Sequence, residues 1–314
     1  MIKDLIRRLK ISYMVYNFFH KKELKHNVPI YKKLGLNKTY YSPISSKDFK
    51  NLNNTKDDNN DINYFLLKNS HLYKTATAED QKSLNEYEEK GYAILRNYLS
   101  IDQVEAVNKE IESLLTDGKI QITNINKIMF AIHCSNFLKS IGTDFHLNEL
   151  LSILFNGNSV LFQSINFITG SEQHTHSDSI HMTTYTLGGL LGVWIALDDI
   201  TDKNGPLHYY PGSHKLPYYL NADYDNEGNS ICIGDKSYKA YEAMIEQKIK
   251  EQNIEKVNFY AKKGDLLIWH ANLFHGGDPH IDKSQTRRSM VLHYFKEGSV
   301  CYHEITQRPA LMKG

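Results

Sequence analysis

The stretch VLFQSINFITGSEQHTHSDSIHMTTYTLGGLLGVWIALDD, residues 160–199, decides the fold. Its β-branched and aromatic runs are broken by glycines, a composition that predicts strands and turns. At its centre, HTHSD (174–178) places two histidines and an aspartate at alternate positions. Side chains two residues apart on a strand share a face, so His174, His176 and Asp178 are predicted to point the same way. A polar surface cluster and a metal site are both compatible with these five residues.

The same composition continues along the chain. From about residue 158 onward, short strand-like runs alternate with Gly, Pro and Asn turns. That pattern favours a sandwich or barrel over repeated βαβ units. The polar interval 221–256 interrupts it, and SYKAYEAMIEQKIKEQN (237–253) within it predicts an inserted helix. We therefore expect a mainly β protein with flanking helices, of the α+β class.

A strand followed by a helix is predicted just before this β-rich region. In GYAILRNYLSIDQVEAVNKEIESLL (91–115), Tyr92 to Leu95 form a short apolar run. Ser100 can then cap a helix by accepting backbone N–H bonds. Apolar residues recur at helical spacing beyond it, at Val104, Val107 and Ile111.

Residues 1–85 are rich in Lys, Asn and Tyr and are predicted to be an N-terminal extension that is partly helical and contains a polar linker at 50–61. The first segment carries a helical apolar stripe formed by Ile2, Leu5, Ile6, Leu9 and Tyr13. One interpretation is a helix packed on the domain. The other is peripheral contact of residues 1–25 with an anionic membrane, helped by Lys21, Lys22 and Lys25. No apolar run is long enough to predict a transmembrane segment.

Composition narrows the functional classes. The formal net charge of +1 and the isoelectric point near 7.7 give no bias toward nucleic acid. The three cysteines are far apart and form no CxxC pair, which argues against a disulfide framework or a zinc ribbon. Reduced thiols are typical of the cytoplasm, where we expect the protein to be located.

Three further motifs help to decide whether HTHSD is a polar surface cluster or a metal site. WIALDDITDKNGPLHYYPGSHKLP (194–217) joins two strand-like runs through Asn204-Gly205, which predicts a hairpin turn. GDLLIWHANLFHGG (264–277) ends a strand-like run at His275, and RRSMVLHYF (287–295) opens a strand with two arginines. Two histidines and one carboxylate are the ligand set that binds non-haem Fe(II) on one face and leaves adjacent positions open. An arginine that follows them in the chain can bind a carboxylate through two parallel hydrogen bonds from its planar guanidinium.

Residues 86–296 resemble the phytanoyl-CoA dioxygenase family of Fe(II)/2-oxoglutarate oxygenases. Five stretches in the same order carry the resemblance: GYAILRNYLS, HSD at 176–178, WIALDDIT..NGPL...PGSH, GDLLIWHANLFHGG and the late arginine. The resemblance implies a double-stranded β-helix (jelly-roll) core within 86–314, and Fe(II) bound by His176, Asp178 and His275. It also implies 2-oxoglutarate and O₂ as co-substrates, with succinate and CO₂ as co-products.

The chain departs from the family pattern at two places. Ser177 stands between the two ligands where Gln is more usual, although this position is not a ligand. FITGSEQHT, before the motif, lacks the Lys-Pro-Gly found in many members. Iron halogenases of similar fold replace the metal-binding aspartate with a small residue, so the presence of Asp178 favours hydroxylation.

Matching LHY at 292–294 to the last strand of the family assigns Arg287 as the 2-oxoglutarate anchor, with Arg288 as the alternative. Strand alternation sends one of the two inward and the other outward. For substrate contacts the sequence offers Trp194, His214 in the PGSH corner, and Tyr185. His214 is equally well explained as part of a turn, and Trp194 as part of the core.

Several functions agree with these residues. The leading hypothesis is a dioxygenase that hydroxylates a C–H bond of a small molecule or of a sugar- or lipid-linked substrate. One alternative is a non-catalytic metal-binding jelly roll that serves as a sensor or scaffold. Another is a cupin-type isomerase or epimerase, which would turn over independently of O₂.

Overall fold

The computed structural model describes residues 6–52 and 62–312. The predicted polar linker at 50–61 lies largely outside the described residues, as do Ile2 and Leu5 of the N-terminal stripe. In the described part no helix is long and apolar enough to cross a membrane.

Helices are concentrated in the first half of the chain and in one later insertion. In chain order they are α1 (Lys10–Phe18), α2 (Lys21–Leu24), α3 (Asn27–Lys33), α4 (Tyr64–Asn69), α5 (His71–Thr75), α6 (Ala78–Asn85), α7 (Tyr87–Lys90), α8 (Ile101–Thr116), α9 (Asn136–Gly142), α10 (Phe145–Phe155) and α11 (Tyr238–Gln252). The predicted helices at 101 and 237 are confirmed. Ser100 caps α8 by accepting a hydrogen bond from the backbone N–H of Gln103, whose side chain accepts in return from Ser100 N–H.

The strands are short, as the turn spacing predicts. They are β1 (Tyr92–Leu95), β2 (Ile128–Met129), β3 (Ser159–Phe167), β4 (Thr183–Tyr185), β5 (Leu190–Ala196), β6 (Leu207–Tyr209), β7 (Val257–Phe259), β8 (Leu266–His270), β9 (His275–Gly277), β10 (Ser289–Lys296), β11 (Val300–His303) and β12 (Arg308–Pro309).

The described strands form one large antiparallel sheet and two small ones. The large sheet has the order β1-β8-β5-β10-β3-β2, and the small sheets have the orders β7-β6-β9 and β12-β11-β4. Strands distant in sequence are neighbours in every sheet, as a double-stranded β-helix requires. The predicted jelly-roll core with flanking helices is confirmed.

Alternation along β10 shows how the large sheet separates two apolar layers. Met290, Leu292 and Tyr294 lie on the face packed against α8, α9 and α10, in the largest core cluster. Val291 lies on the other face, with Trp194 of β5 and residues of the sheet β7-β6-β9. Because both faces are covered, β5 is buried along its whole length. The inner layer is open at one end, and the functional residues lie there.

The N-terminal helices pack against the β-rich part. Ile62, Leu67 and Leu84 belong to the same core cluster as the outer face of the large sheet. Tyr31 and Phe49 pack with residues of β11. The division of the chain at residue 85 stays a prediction.

Candidate active site

A cavity of about 700 Å³ lies between the inner face of the large sheet and the sheet β7-β6-β9. Its size is in the usual range for a small-molecule site. The walls are mainly apolar and aromatic side chains carried by the strands: Met129, Ile165, Phe167, Trp194, Leu207, Trp269 and Val291. The polar groups that the sequence singled out as metal ligands line the same cavity.

His176 and His275 lie side by side because the backbone segments that carry them are paired. Each donates its N–H to the carbonyl oxygen of the other at 2.9 Å. Both rings are also fixed through Nδ1, which lies 2.8 Å from the carbonyl oxygen of His174 and 2.9 Å from that of Leu273. A carbonyl can only accept, so Nδ1 carries the proton in both rings and Nε2 presents its lone pair. This is the tautomer that a metal ion requires.

Asp178 faces both rings. Its Oδ1 atom lies 3.8 Å from Nε2 of His176 and 3.7 Å from Nε2 of His275. Ser177 is extended and contacts the hydroxyl of Tyr241 on the opposite side, at 3.1 Å, so the predicted alternation holds here. The segment is not a regular strand, because a 3₁₀ turn begins at Asp178.

The second carboxylate oxygen of Asp178 is held by a residue that the sequence analysis missed. Nε1 of Trp269 donates a hydrogen bond to Oδ2 at 2.8 Å, which leaves Oδ1 toward the histidines. One atom from each of His176, Asp178 and His275 lies within 4.8 Å of the others, and all three side chains are buried. Buried N, N and O donors with their outer atoms already hydrogen-bonded fit a bound divalent metal.

The charges at this centre also suit a metal. Burial lowers the pKa of His176, and the neighbouring His275 lowers it further, well below its usual range. Burial alone would raise the pKa of Asp178, but His275 and His293 outweigh that effect and hold it well below its usual range. A neutral imidazole and an ionised carboxylate are the forms that coordinate.

Arg287 lines the cavity, and the residue is 3% exposed. Nε donates to the carbonyl oxygen of Gly205 at 3.0 Å, and the guanidinium carbon lies 5.3 Å from the ring centroid of Trp194. Burial lowers the pKa of Arg287 to about 10, so the group keeps its charge at neutral pH. Among the described residues no carboxylate pairs with it. A buried cation without a counter-ion is a site for an anion.

Arg288 points the other way. Its guanidinium pairs with Glu112 of α8 at 3.1 Å, on the outer side of the large sheet. The two arginines therefore alternate as a strand demands, with Arg287 on the cavity side.

Trp194 lines the cavity and is fully buried, while its Nε1 has no hydrogen-bond partner among the described residues. Both predicted interpretations of this residue, core and cavity wall, are thus compatible with its position. An unpartnered buried N–H facing a cavity can donate to a ligand.

The other two residues predicted as substrate contacts lie elsewhere, which corrects the sequence analysis. His214 lines a separate small pocket, donates through Nε2 to the carbonyl oxygen of Glu88 at 3.1 Å, and packs on His270. Tyr185 stacks on Phe49 at 4.3 Å, beside the N-terminal segment. The resemblance implies that the PGSH corner borders the active site, and the sequence predicts Tyr185 near its mouth, but neither residue lines this cavity.

Asn204-Gly205 is not a hairpin turn. The strands on either side of it, β5 and β6, belong to different sheets, so this segment is a crossover. The Asn204 amide donates to the carbonyl oxygens of Asp199 and Thr286, and Gly205 adopts a φ of 81°. The crossover supplies the carbonyl that holds Arg287.

Several cavity residues escaped the sequence analysis. His293 follows Arg287 and Val291 at alternate positions of β10, so alternation from Arg287 could have placed it. Lys127 and Tyr238 come from separate segments that no spacing connects with the motifs, whereas Gln173 directly precedes HTHSD. Nζ of Lys127 lies 3.1 Å from Oε1 of Gln173, whose Nε2 lies 3.1 Å from Nε2 of His176.

Relatives of known name share the motif region. The bovine peroxisomal phytanoyl-CoA dioxygenase is 20% identical over 244 residues, covering 70% of this chain and 69% of the relative. Ectoine dioxygenase of Stutzerimonas stutzeri is 24% identical over 255 residues, covering 71% and 79%. Phytanoyl-CoA dioxygenase domain-containing protein 1 of Danio rerio is 33% identical, but over 96 residues that span only 29% of this chain and 33% of the relative.

Solved structures show the same fold at low identity. The carbocyclase SnoK of nogalamycin biosynthesis, described as a non-haem α-ketoglutarate-dependent enzyme, superposes with a TM-score of 0.59 at 16% identity, over 75% of this chain and 89% of that one. EctD from S. alaskensis, solved with 2-oxoglutarate and 5-hydroxyectoine, gives 0.52 at 18% identity, over 74% and 80%.

The family model of phytanoyl-CoA dioxygenase matches residues 87–289, which is more than half of the chain. The match begins at α7, just before β1 and α8, and ends two residues after Arg287. The chain therefore belongs to the phytanoyl-CoA dioxygenase family.

Proposed function

We propose that this chain is an Fe(II)- and 2-oxoglutarate-dependent dioxygenase that hydroxylates a C–H bond and releases succinate and CO₂. One observation carries the proposal. A single cavity contains a buried His–Asp–His set and a buried guanidinium that has no carboxylate partner among the described residues. A metal-binding scaffold needs the first feature and has no use for the second.

Each residue then has a defined part. His176, Asp178 and His275 hold Fe(II), with Trp269 and two backbone carbonyls fixing their orientation. Arg287 binds the distal carboxylate of 2-oxoglutarate, and Trp194 lines the same wall with its free N–H. When bound, Fe(II) supplies the oxidising chemistry: O₂ and 2-oxoglutarate give succinate, CO₂ and one oxygen atom for the substrate. The apolar walls exclude bulk water from that reaction.

The substrate in this proposal is a small molecule or the polar end of a sugar- or lipid-linked one. The cavity offers apolar walls for part of it and, toward the α11 side, the polar side chains of His181, Tyr238 and Glu242. The hydroxyl of Tyr238 lies 3.0 Å from Nε2 of His181, so the two present one connected polar surface. The cytoplasm remains the proposed location, which agrees with three unpaired cysteines.

The proposal is tested in two steps with the full chain. Under anaerobic conditions, Fe(II) and 2-oxoglutarate added together should give the weak visible charge-transfer band of their chelate. Exposure to air with an extract of candidate metabolites should then yield succinate and a product heavier by one oxygen atom. A folded protein that gives no band is a scaffold. Turnover without O₂ would identify an isomerase or epimerase.

A further inference from the structure

Helix α1 presents an apolar face to solvent. Ile11, Val15 and Phe18 are 55%, 53% and 54% exposed, and Phe19, at the end of the helix, is 77% exposed. We call these four residues the apolar face. Large apolar side chains that are exposed singly are common, but four on one side of a nine-residue helix form a patch that usually contacts something.

The helix is held firmly by its other side. Lys10 N–H donates to the carbonyl oxygen of Ile231, and Asn17 is buried. The ring of Tyr13 lies 5.7 Å from the guanidinium carbon of Arg308. Because these contacts fix which side of the helix faces the protein, the apolar face is the side that remains outward.

Aromatic rings and a lysine border the C-terminal end of the apolar face, at Phe18. The ring of Phe18 lies 6.4 Å from that of Tyr40 and 5.7 Å from that of Tyr41. Nζ of Lys21 lies 5.8 Å from the centre of the Tyr40 ring, which places this charge beside Phe18. Lys22 and Lys25 are also exposed. Apolar side chains bordered by tyrosines and lysines are the arrangement of a helix that lies in a membrane interface.

We propose that the apolar face inserts into the surface of an anionic membrane, with Lys21, Lys22 and Lys25 against the lipid headgroups. Charge favours lipid over a second copy of the chain. In a symmetric dimer through this face the lysines of both copies would approach one another. Anionic headgroups supply the negative charge that they lack.

The membrane contact would be connected to the cavity through one segment. Arg8 pairs with Asp235 at 3.3 Å, and Ile233 N–H donates to the carbonyl oxygen of Arg8. Asp235 lies immediately before α11, whose residues Tyr238 and Glu242 line the cavity. The proposal concerns binding alone and does not depend on the proposed catalysis.

Co-sedimentation of the full chain with vesicles tests the proposal. Vesicles of phosphatidylcholine alone are compared with vesicles containing phosphatidylglycerol, at low and high salt. We expect sedimentation with the anionic vesicles only, weakened by salt. Phe18→Ser with Phe19→Ser, and separately Lys21→Glu, Lys22→Glu and Lys25→Glu together, should each lower the partition coefficient at least about tenfold.

Matched control variants show whether a loss of vesicle binding is specific to the apolar face and its lysines. Phe65→Ser removes an equally exposed phenylalanine of α4, and Lys68→Glu, Lys109→Glu and Lys139→Glu together reverse three exposed charges elsewhere. Both controls should sediment as the wild type does. Equal loss in the controls, or no binding to anionic vesicles, would overturn the proposal. So would a dimer in sedimentation velocity that Phe18→Ser dissolves, because the occupant would then be a second copy.

Discussion

Nε of Arg287 donates a hydrogen bond to the carbonyl oxygen of Gly205 at 3.0 Å, so the guanidinium is oriented by a neutral backbone atom. Its positive charge therefore remains available for a ligand. Arg287→Ala should leave Fe(II) binding intact and raise the dissociation constant of 2-oxoglutarate. Losing a buried charged contact costs about 2–5 kcal/mol, or at least roughly thirtyfold in affinity. Titration of the visible chelate band measures this constant directly.

The neighbouring arginine is the matched control for that experiment. Arg288 pairs with Glu112, which is more than half exposed, and such surface pairs contribute about 0–1 kcal/mol. Arg288→Ala should therefore change the 2-oxoglutarate constant by no more than about fivefold, the equivalent of about 1 kcal/mol. A larger effect from Arg288→Ala than from Arg287→Ala would contradict the assignment of the anchor.

Asp178→Ala should abolish hydroxylation, because it removes the only carboxylate of the proposed ligand set. The metal then loses both a balancing negative charge and one of the ligands that fix its position. Fe(II) binding, followed by equilibrium dialysis under anaerobic conditions, should weaken by orders of magnitude. Ser177→Ala is the control, since Ser177 contacts Tyr241 on the opposite side and faces no ligand. Full turnover in Asp178→Ala would rule out the proposed metal centre.

Substitutions of the two tryptophans that line the cavity should weaken the binding of different ligands. Trp269→Phe deletes the hydrogen bond to Oδ2 of Asp178, and loss of such outer contacts typically weakens metal binding about 10- to 100-fold. Trp194→Phe removes the indole N–H and places a smaller ring beside Arg287, so it should weaken 2-oxoglutarate binding and spare Fe(II). Parallel titrations of Fe(II) and 2-oxoglutarate distinguish the two. Identical profiles for both variants would argue against these roles.

Glu304 should make the protein less stable as pH rises. Burial raises its pKa above the usual 4.5, although Ser46 donates to the carboxylate through both its N–H and its hydroxyl. Above pH 4.5 the unfolded chain loses this proton before the folded one does, so stability falls until pH passes the raised pKa. Glu304→Gln removes this contribution.

Urea unfolding at several pH values between about 4.5 and 8 measures that contribution. The free energy of unfolding of the wild type, minus that of Glu304→Gln, should decrease as pH rises. Glu255→Gln, at an exposed position, should leave the pH profile of the wild type unchanged. A difference that increases with pH would show that the carboxylate is stabilised in its ionised form.

Local patterns specify the secondary structure, so it could be predicted from sequence. The capped helix after Ser100 and the helix at 237 follow from spacing within a few residues. Alternation predicts that one of Arg287 and Arg288 faces inward, but the choice of Arg287 came from matching the last strand of the family. The pairing of His176 with His275 needed the family resemblance, since nothing local connects two segments so distant in the chain.

The errors share a physical cause. Asn204-Gly205 has the composition of a hairpin turn, but which strands flank a turn in space depends on the sheets they join. The prediction for His214 rests on the family resemblance and that for Tyr185 on its position in a loop, and the path of the backbone takes both side chains away from the cavity. Trp269 and Lys127 reach the cavity through tertiary packing, which no pattern in their own segments encodes.

The reciprocal backbone hydrogen bonds between His176 and His275 also bear on how the protein folds. The two ligand-bearing segments lie on either side of the insertion that contains α11, so their pairing closes a long loop. Contacts of such sequence separation form slowly, after more local structure. Metal capture should then be among the last events of refolding. A time course of iron uptake after dilution from denaturant would trail the recovery of helical circular dichroism.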